Sequence, residues 1–147
     1  MSKRLVAICM LVLYSFILVR IMVFKNIPPI RLGRVMLNFG GTQVGAPNFI
    51  PFRSIWPYLS GERGLLISVL NLGGNIGLLV PVGFLTALIW RSITWKKFLI
   101  LSVATGFVIE GMQVLLRVGI FDIDDILLNA FGVMIGCWMS ALLRRKA

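Results

Sequence analysis

The 147-residue chain contains no histidine. That removes the commonest general base and the commonest metal ligand near neutral pH. Its two cysteines, Cys9 and Cys137, both stand inside apolar runs, so no disulfide framework is indicated. Polar surface is also scarce. Charged residues make up 14% of the chain and hydrophobic ones 59%, against roughly 45–50% apolar content in a soluble domain. Such a chain cannot cover itself with polar atoms in water. The soluble classes are excluded, and residues 1–147 read as one integral membrane domain.

The formal net charge of +10 would point to nucleic acid in a soluble protein. Here the basic residues flank apolar spans, a pattern that sets topology and meets anionic headgroups. No nucleic-acid partner is expected. Membrane lipids or lipid-linked envelope molecules are.

Apolar runs of spanning length occur at about 5–24, 65–90, 98–116 and 125–143. The first follows Ser2-Lys3-Arg4 like a signal peptide, but no small-residue cleavage site follows it, so a retained helix is expected. Pro81 in the second run predicts a kink, because its ring crowds the carbonyl of Gly77. Trp90, Trp95, Trp138 and Tyr14 are expected to face lipid or the interface. The fold class is therefore an all-α bundle of four transmembrane helices.

Dense basic clusters occupy three short segments: Lys3-Arg4, then Arg91 with Lys96 and Lys97, then Arg144-Arg145-Lys146. Lys25, Arg31, Arg34, Arg53 and Arg63 are spread over the long segment between the first two spans. By the positive-inside rule both termini are cytoplasmic, and residues 25–64 and 117–124 face outward. Within the first outer segment, the run from Asn48 to Tyr58 mixes aromatics, prolines and Arg53. It suits an interfacial or re-entrant segment, or alternatively an ordered loop packed on the helix ends. Gly73 with Gly77, and Gly132 with Gly136 and Ser140, have the spacing of helix-packing seams, and such faces also suit an oligomer.

Ten polar residues within or beside the spans fall at one depth: Arg53, Asn71, Asn75, Glu110, Gln113, Arg117, Asp122, Asp124, Asp125 and Asn129. A charge at a helix centre costs on the order of 2.5–3.5 kcal/mol by insertion scales, so such a set marks a functional site by default. Asn71 and Asn75 share one helix face, as do Glu110, Gln113 and Arg117, and as do Asp125 and Asn129. The stripes are expected to converge into one outward-facing ligand-binding pocket.

Plainer roles stand beside that reading. Asp124 or Asp125 would cap the fourth helix. The three asparagines would serve as interhelical glue. Arg117 would reach back to Glu110 as an ion pair. Asp122 and Asp124 are also candidates for a divalent cation such as Mg²⁺ or Ca²⁺, since the set is rich in oxygen ligands. Such a cation, Arg53 or Arg117 would hold a phosphate.

Four stretches resemble the VanZ-like family of small bacterial membrane proteins, named for a teicoplanin-resistance gene. They are Asn48-Phe-Ile-Pro-Phe-Arg-Ser-Ile55 and Asn71-Leu-Gly-Gly-Asn75-Ile-Gly-Leu-Leu-Val-Pro81-Val-Gly83-Phe, then Glu110-Gly-Met-Gln113 and the run from Phe121 to Gly136. They occur in family order over about residues 48–140. The resemblance implies a small protein of the bacterial inner membrane whose family includes one that raises tolerance to a lipid-tailed glycopeptide. It carries over no reaction and no catalytic residue. The polar pocket beside the aromatic, cationic loop suggests that this chain binds or modulates a cell-envelope amphiphile. Two alternatives stay open. An intramembrane hydrolase or transferase would use Glu110 and Asp125 for acid/base work, and an ion-coupled transporter would use Glu110 as its carrier. No cofactor is expected beyond that divalent cation.

The topology can be tested directly. In a background lacking Cys9 and Cys137, Ser60→Cys is expected to react with an impermeant thiol reagent added outside intact cells. Labelling only from the cytoplasmic side would invert the orientation.

Overall fold

The computed structural model describes residues 2–23, 30–32, 35–37 and 46–145. Lys25, Arg34 and Lys146, which enter the charge sorting above, lie outside the described residues. Among the described residues, four helices are long and apolar enough to cross a membrane, so the helical, four-span architecture stands. Helix α1 covers Lys3–Leu18 and continues as a π-helical turn, Val19–Val23. The Ser2 hydroxyl caps it, accepting from the Leu5 amide at 3.2 Å. A short hairpin, β1 (Ile30–Leu32) with β2 (Val35–Leu37), and a one-turn helix α2 (Trp56–Leu59) follow. Then come α3 (Leu65–Ile89), α4 (Trp95–Leu115) and α5 (Ile123–Arg145).

Three helices start earlier than their apolar runs, α1 among them at Lys3. Trp95, Lys96 and Lys97 form the first turn of α4, and α5 begins at Ile123 because Asp122 caps it. Hydropathy alone marks where a helix becomes apolar, whereas capping marks where it starts. Helix α3 runs on through Pro81. Trp90, Trp95 and Trp138 are exposed as expected, but Tyr14 is not a lipid-facing anchor. It is half-buried, and its hydroxyl donates to the Leu78 carbonyl at 2.7 Å, tying α1 to α3.

Helix α5 is the hub. It packs on α3 most extensively and on α4 next; α1 lies on α3, and the π-turn reaches α4. The helices thus close a ring in the order α1, α3, α5, α4. Its interior is filled by Leu18, Met22, Leu79, Ala87, Phe98, Ile109 and Val133.

The α3–α5 contact runs backbone to backbone. A Cβ on Gly132 would strike the Ile76 carbonyl, and one on Gly136 the Val80 carbonyl. Gly83 meets Val133 in the same way, and Gly106 brings α4 close to Ile126. The expected seam at Gly73 and Gly77 is corrected: a Cβ there meets nothing within 4 Å. The close contacts on α3 run instead through Ile76, Val80 and Gly83. The seam at Gly132 and Gly136 is spent inside the chain and is not available to an oligomer.

Gly132→Val and Gly136→Val are expected to lower the thermal stability of the detergent-purified protein sharply, because overpacking typically costs about 1–3 kcal/mol. Gly73→Ala and Gly77→Ala should be neutral or stabilising, by up to about 1 kcal/mol from helix propensity. Equal effects at the two pairs would reject this packing.

Candidate functional site

The site is built on the first turn of α5, where each acidic side chain holds a different element. Asp122 Oδ1 accepts from the Asp124 amide at 2.9 Å, which is the helix cap. The same oxygen takes the Asn48 amide Nδ2 at 2.9 Å. The Asn48 backbone pairs alongside, its N–H donating to the Phe121 carbonyl at 2.8 Å and its carbonyl accepting from the Ile123 N–H at 3.0 Å. Capping is thus done by Asp122, not by Asp124 or Asp125.

Asp124 is fully buried. Its Oδ1 accepts from the Phe52 N–H at 2.5 Å, and its Oδ2 from the Ser54 N–H and hydroxyl, both at 2.8 Å, and the Ile55 N–H at 3.3 Å. One carboxylate therefore gathers the N–H groups of the 52–55 turn, and holds Phe52 at φ 67, a conformation rare for a large L-residue. Asp125 faces the other way, toward α3, where the Asn75 amide donates to it at 3.2 Å. Glu110, fully buried on α4, accepts the Asp122 N–H at 3.0 Å.

Above this turn lies a cavity of about 400 Å³. Asn71, Asn75, Glu110, Gln113, Asp122 and Asp125 all line it, so three helices do bring their polar stripes together. Ser54, Ile55, Pro57, Tyr58 and Arg63 complete the wall from the loop. Ser68 Oγ steadies that wall by donating to the Tyr58 carbonyl at 2.9 Å. Gln113 also donates to the Met22 carbonyl at 3.2 Å, closing the side toward α1. Among the described residues, Asn71 bonds only the Ile67 carbonyl of its own helix, at 2.9 Å.

Four expected members stand elsewhere. Arg53 is exposed on the loop and does not line the cavity. Arg117 is exposed too, at φ 56, just past the α4 cap. The Val118 N–H reaches the Gln113 carbonyl at 2.9 Å and the Arg117 N–H the Val114 carbonyl at 3.0 Å. That is a left-handed helix stop of the kind glycine usually provides. Arg117 therefore serves through its backbone, which closes α4. Asp124 is spent on the loop. Asn129 is fully buried one turn beyond Asp125, and neither amide atom finds a partner among the described residues.

At Asp124 the bonding leaves a divalent cation no room. N–H hydrogens point at both Asp124 oxygens, where a cation would have to sit. No group of three or more acid, thiol or imidazole side chains with metal-site geometry occurs among the described residues.

Sequence reasoning missed Asn48, Ser54, Tyr58 and Arg63. For Asn48 a signal existed: its side-chain oxygen takes the Ile50 N–H at 3.1 Å, an Asx turn ahead of Pro51. For Arg63 there was none, since it lies outside every apolar run.

Fold and site together define a polytopic helical membrane protein with a polar cavity at one end of its bundle. Residues 11–144 match the family model VanZ/LLP1, and the chain belongs to that family. No curated protein and no solved structure matches it.

Asp124→Asn replaces an acceptor with an N–H₂ group facing other N–H donors. It should cost about 1.5–3 kcal/mol, the range for hydrogen bonds to a charged group. Amide exchange at residues 52–55 should speed up, while α1 exchange stays near wild type. Unchanged protection at 52–55 would refute the anchoring role.

Proposed function

We propose that the cavity binds the headgroup of a cell-envelope amphiphile, a lipid-linked molecule or a lipid-tailed antibiotic, and so influences glycopeptide tolerance of the teicoplanin type. The observation that carries this is the single cavity gathering amides, carboxylates and Arg63 from three helices and a loop. Beside it Phe49, Ile50, Phe52 and Trp56 are exposed on the same loop, with Arg53 among them. Aromatic side chains of this kind rest at the interface, where an amphiphile's head and tail divide. In this reading the protein lies in the bacterial inner membrane with both termini cytoplasmic, so the cavity opens outward. The membership in VanZ/LLP1 supports an envelope role.

Binding is favoured over catalysis by the bonding of Ser54, the serine on the cavity wall. Ser54 Oγ donates to Asp124, but that carboxylate already accepts three backbone N–H groups. It holds the turn and is not placed to take a proton from a nucleophile.

Asn71→Leu tests the proposal because it removes a cavity amide whose bond lies within its own helix. Binding of labelled envelope lipids should weaken about tenfold, the value of one hydrogen bond of roughly 1.4 kcal/mol. Teicoplanin tolerance should fall with it at normal expression. Unchanged binding and tolerance would sink the reading, and lipid turnover abolished by Glu110→Gln would replace it with an enzyme.

A further inference from the structure

We propose that the opposite end of the bundle carries a second site, for an anionic phospholipid, with its phosphate between Arg4 and Arg91 and an acyl chain along α4. It is independent of the polar cavity and lies at the other ends of the same helices.

Two recesses meet there. The first, about 470 Å³, lies between the start of α1 and the α3–α4 turn, lined by Arg4, Leu88, Ile89, Trp90, Arg91 and Ser92. The second, about 480 Å³, shares Trp90 and Ser92 with the first and continues along Lys97, Ile100, Leu101 and Ala104. Those four positions are spaced by three and four, so they form one stripe of α4 about 10 Å long. Small Ala104 ends it and leaves room between larger neighbours. One recess is thus basic and the other apolar, and they are joined at a tryptophan of the kind that sits at headgroup level.

Charge complementarity names the occupant. All five acidic side chains of the chain (Glu62, Glu110, Asp122, Asp124 and Asp125) belong to the other end. The guanidiniums of Arg4 and Arg91 therefore have no side-chain carboxylate of their own chain within reach. Guanidinium forks match phosphate oxygens, and basic recesses between membrane helices bind anionic headgroups. Lys96 is turned aside, its Nζ standing 5.8 Å over the Trp95 ring, whereas Lys97 sits at the mouth of the apolar recess. An inorganic anion would use the basic recess and leave the α4 stripe empty, while a phospholipid fills both. A zwitterionic lipid offers the same phosphate, but its ammonium cancels the attraction.

The test uses the full chain in detergent, titrated with phosphatidylglycerol, with phosphatidylcholine of the same acyl chains, and with inorganic phosphate. Melting temperature gives the apparent affinity. Phosphatidylglycerol should bind at least about tenfold more tightly than phosphatidylcholine, and Arg4→Gln and Arg91→Gln should each weaken it about fivefold. Ala104→Phe, at an exposed position, should weaken long-chain phosphatidylglycerol and spare a dihexanoyl analogue. Taking the ratio of the two lipids within each variant removes any general change in stability. Equal affinity for the two lipids, a ratio unmoved by the arginine variants, or a full shift with inorganic phosphate alone would each overturn the proposal.

Discussion

A single buried carboxylate, Asp124, organises the end of the molecule where the cavity lies. A carboxylate with no exposed surface is stable only when its oxygens are filled by donors. Here the donors are supplied by backbone amides of the 52–55 turn. Those amides have the converse need, since an N–H at this depth without an acceptor costs as much as a lost bond. Each therefore fixes the other, and Phe52 is held at positive φ as the consequence. The residues that follow the turn, from Ser54 to Tyr58, are set by it as the cavity wall. Asp122 and Asp125, on either side, then tie that wall to Asn48 and to α3.

The distribution of charge between the two ends is not a matter of helix dipoles alone. In α5 the acids stand at the start and Arg144 near the end, as the dipole favours. In α4 the order is reversed: Lys96 and Lys97 open the helix and Glu110 lies toward its close. The two helices run in opposite directions, so one segregation of charge satisfies one dipole and opposes the other. What is constant is the end of the bundle. That is the behaviour expected when charge answers to the membrane's two faces, and it leaves a basic surface at one end and a polar, acid-lined cavity at the other.

The spans were legible because a bilayer demands about twenty apolar residues in a row, and few soluble constraints imitate that. The convergence of Asn75, Glu110, Gln113 and Asp125 was legible because spacing of three and four fixes a helix face. Arg53, Arg117 and Asp124 fall outside the cavity lining. Their identity suggested side-chain chemistry directed at a ligand, but Arg117 acts through its backbone and Asp124 through bonds to a distant turn. Nothing in spacing reports a left-handed stop without glycine, or a contact 70 residues away. The glycines show the same limit. Gly73 and Gly77 have the motif, but Gly83 and Gly106, without it, make the close contacts. The small hairpin β1–β2 was likewise too short to announce itself against the apolar background.

How far the cavity extends decides what kind of protein this is. Beyond Asp125 the next polar side chain on α5 is Asn129, and after it the helix presents Gly132, Val133 and Gly136 to α3. On α4 the hydroxyls of Ser102 and Thr105 donate to Phe98 and Leu101 of their own helix at 2.8 Å, so they offer no onward step. Leu79, Phe98 and Val133 fill the interior between the two ends. An ion or proton would meet a packed apolar plug, in which an unpaired charge is costly. The cavity is therefore blind. In the proposed reading a ligand enters and leaves it by the same side, as recognition of a headgroup from one leaflet requires.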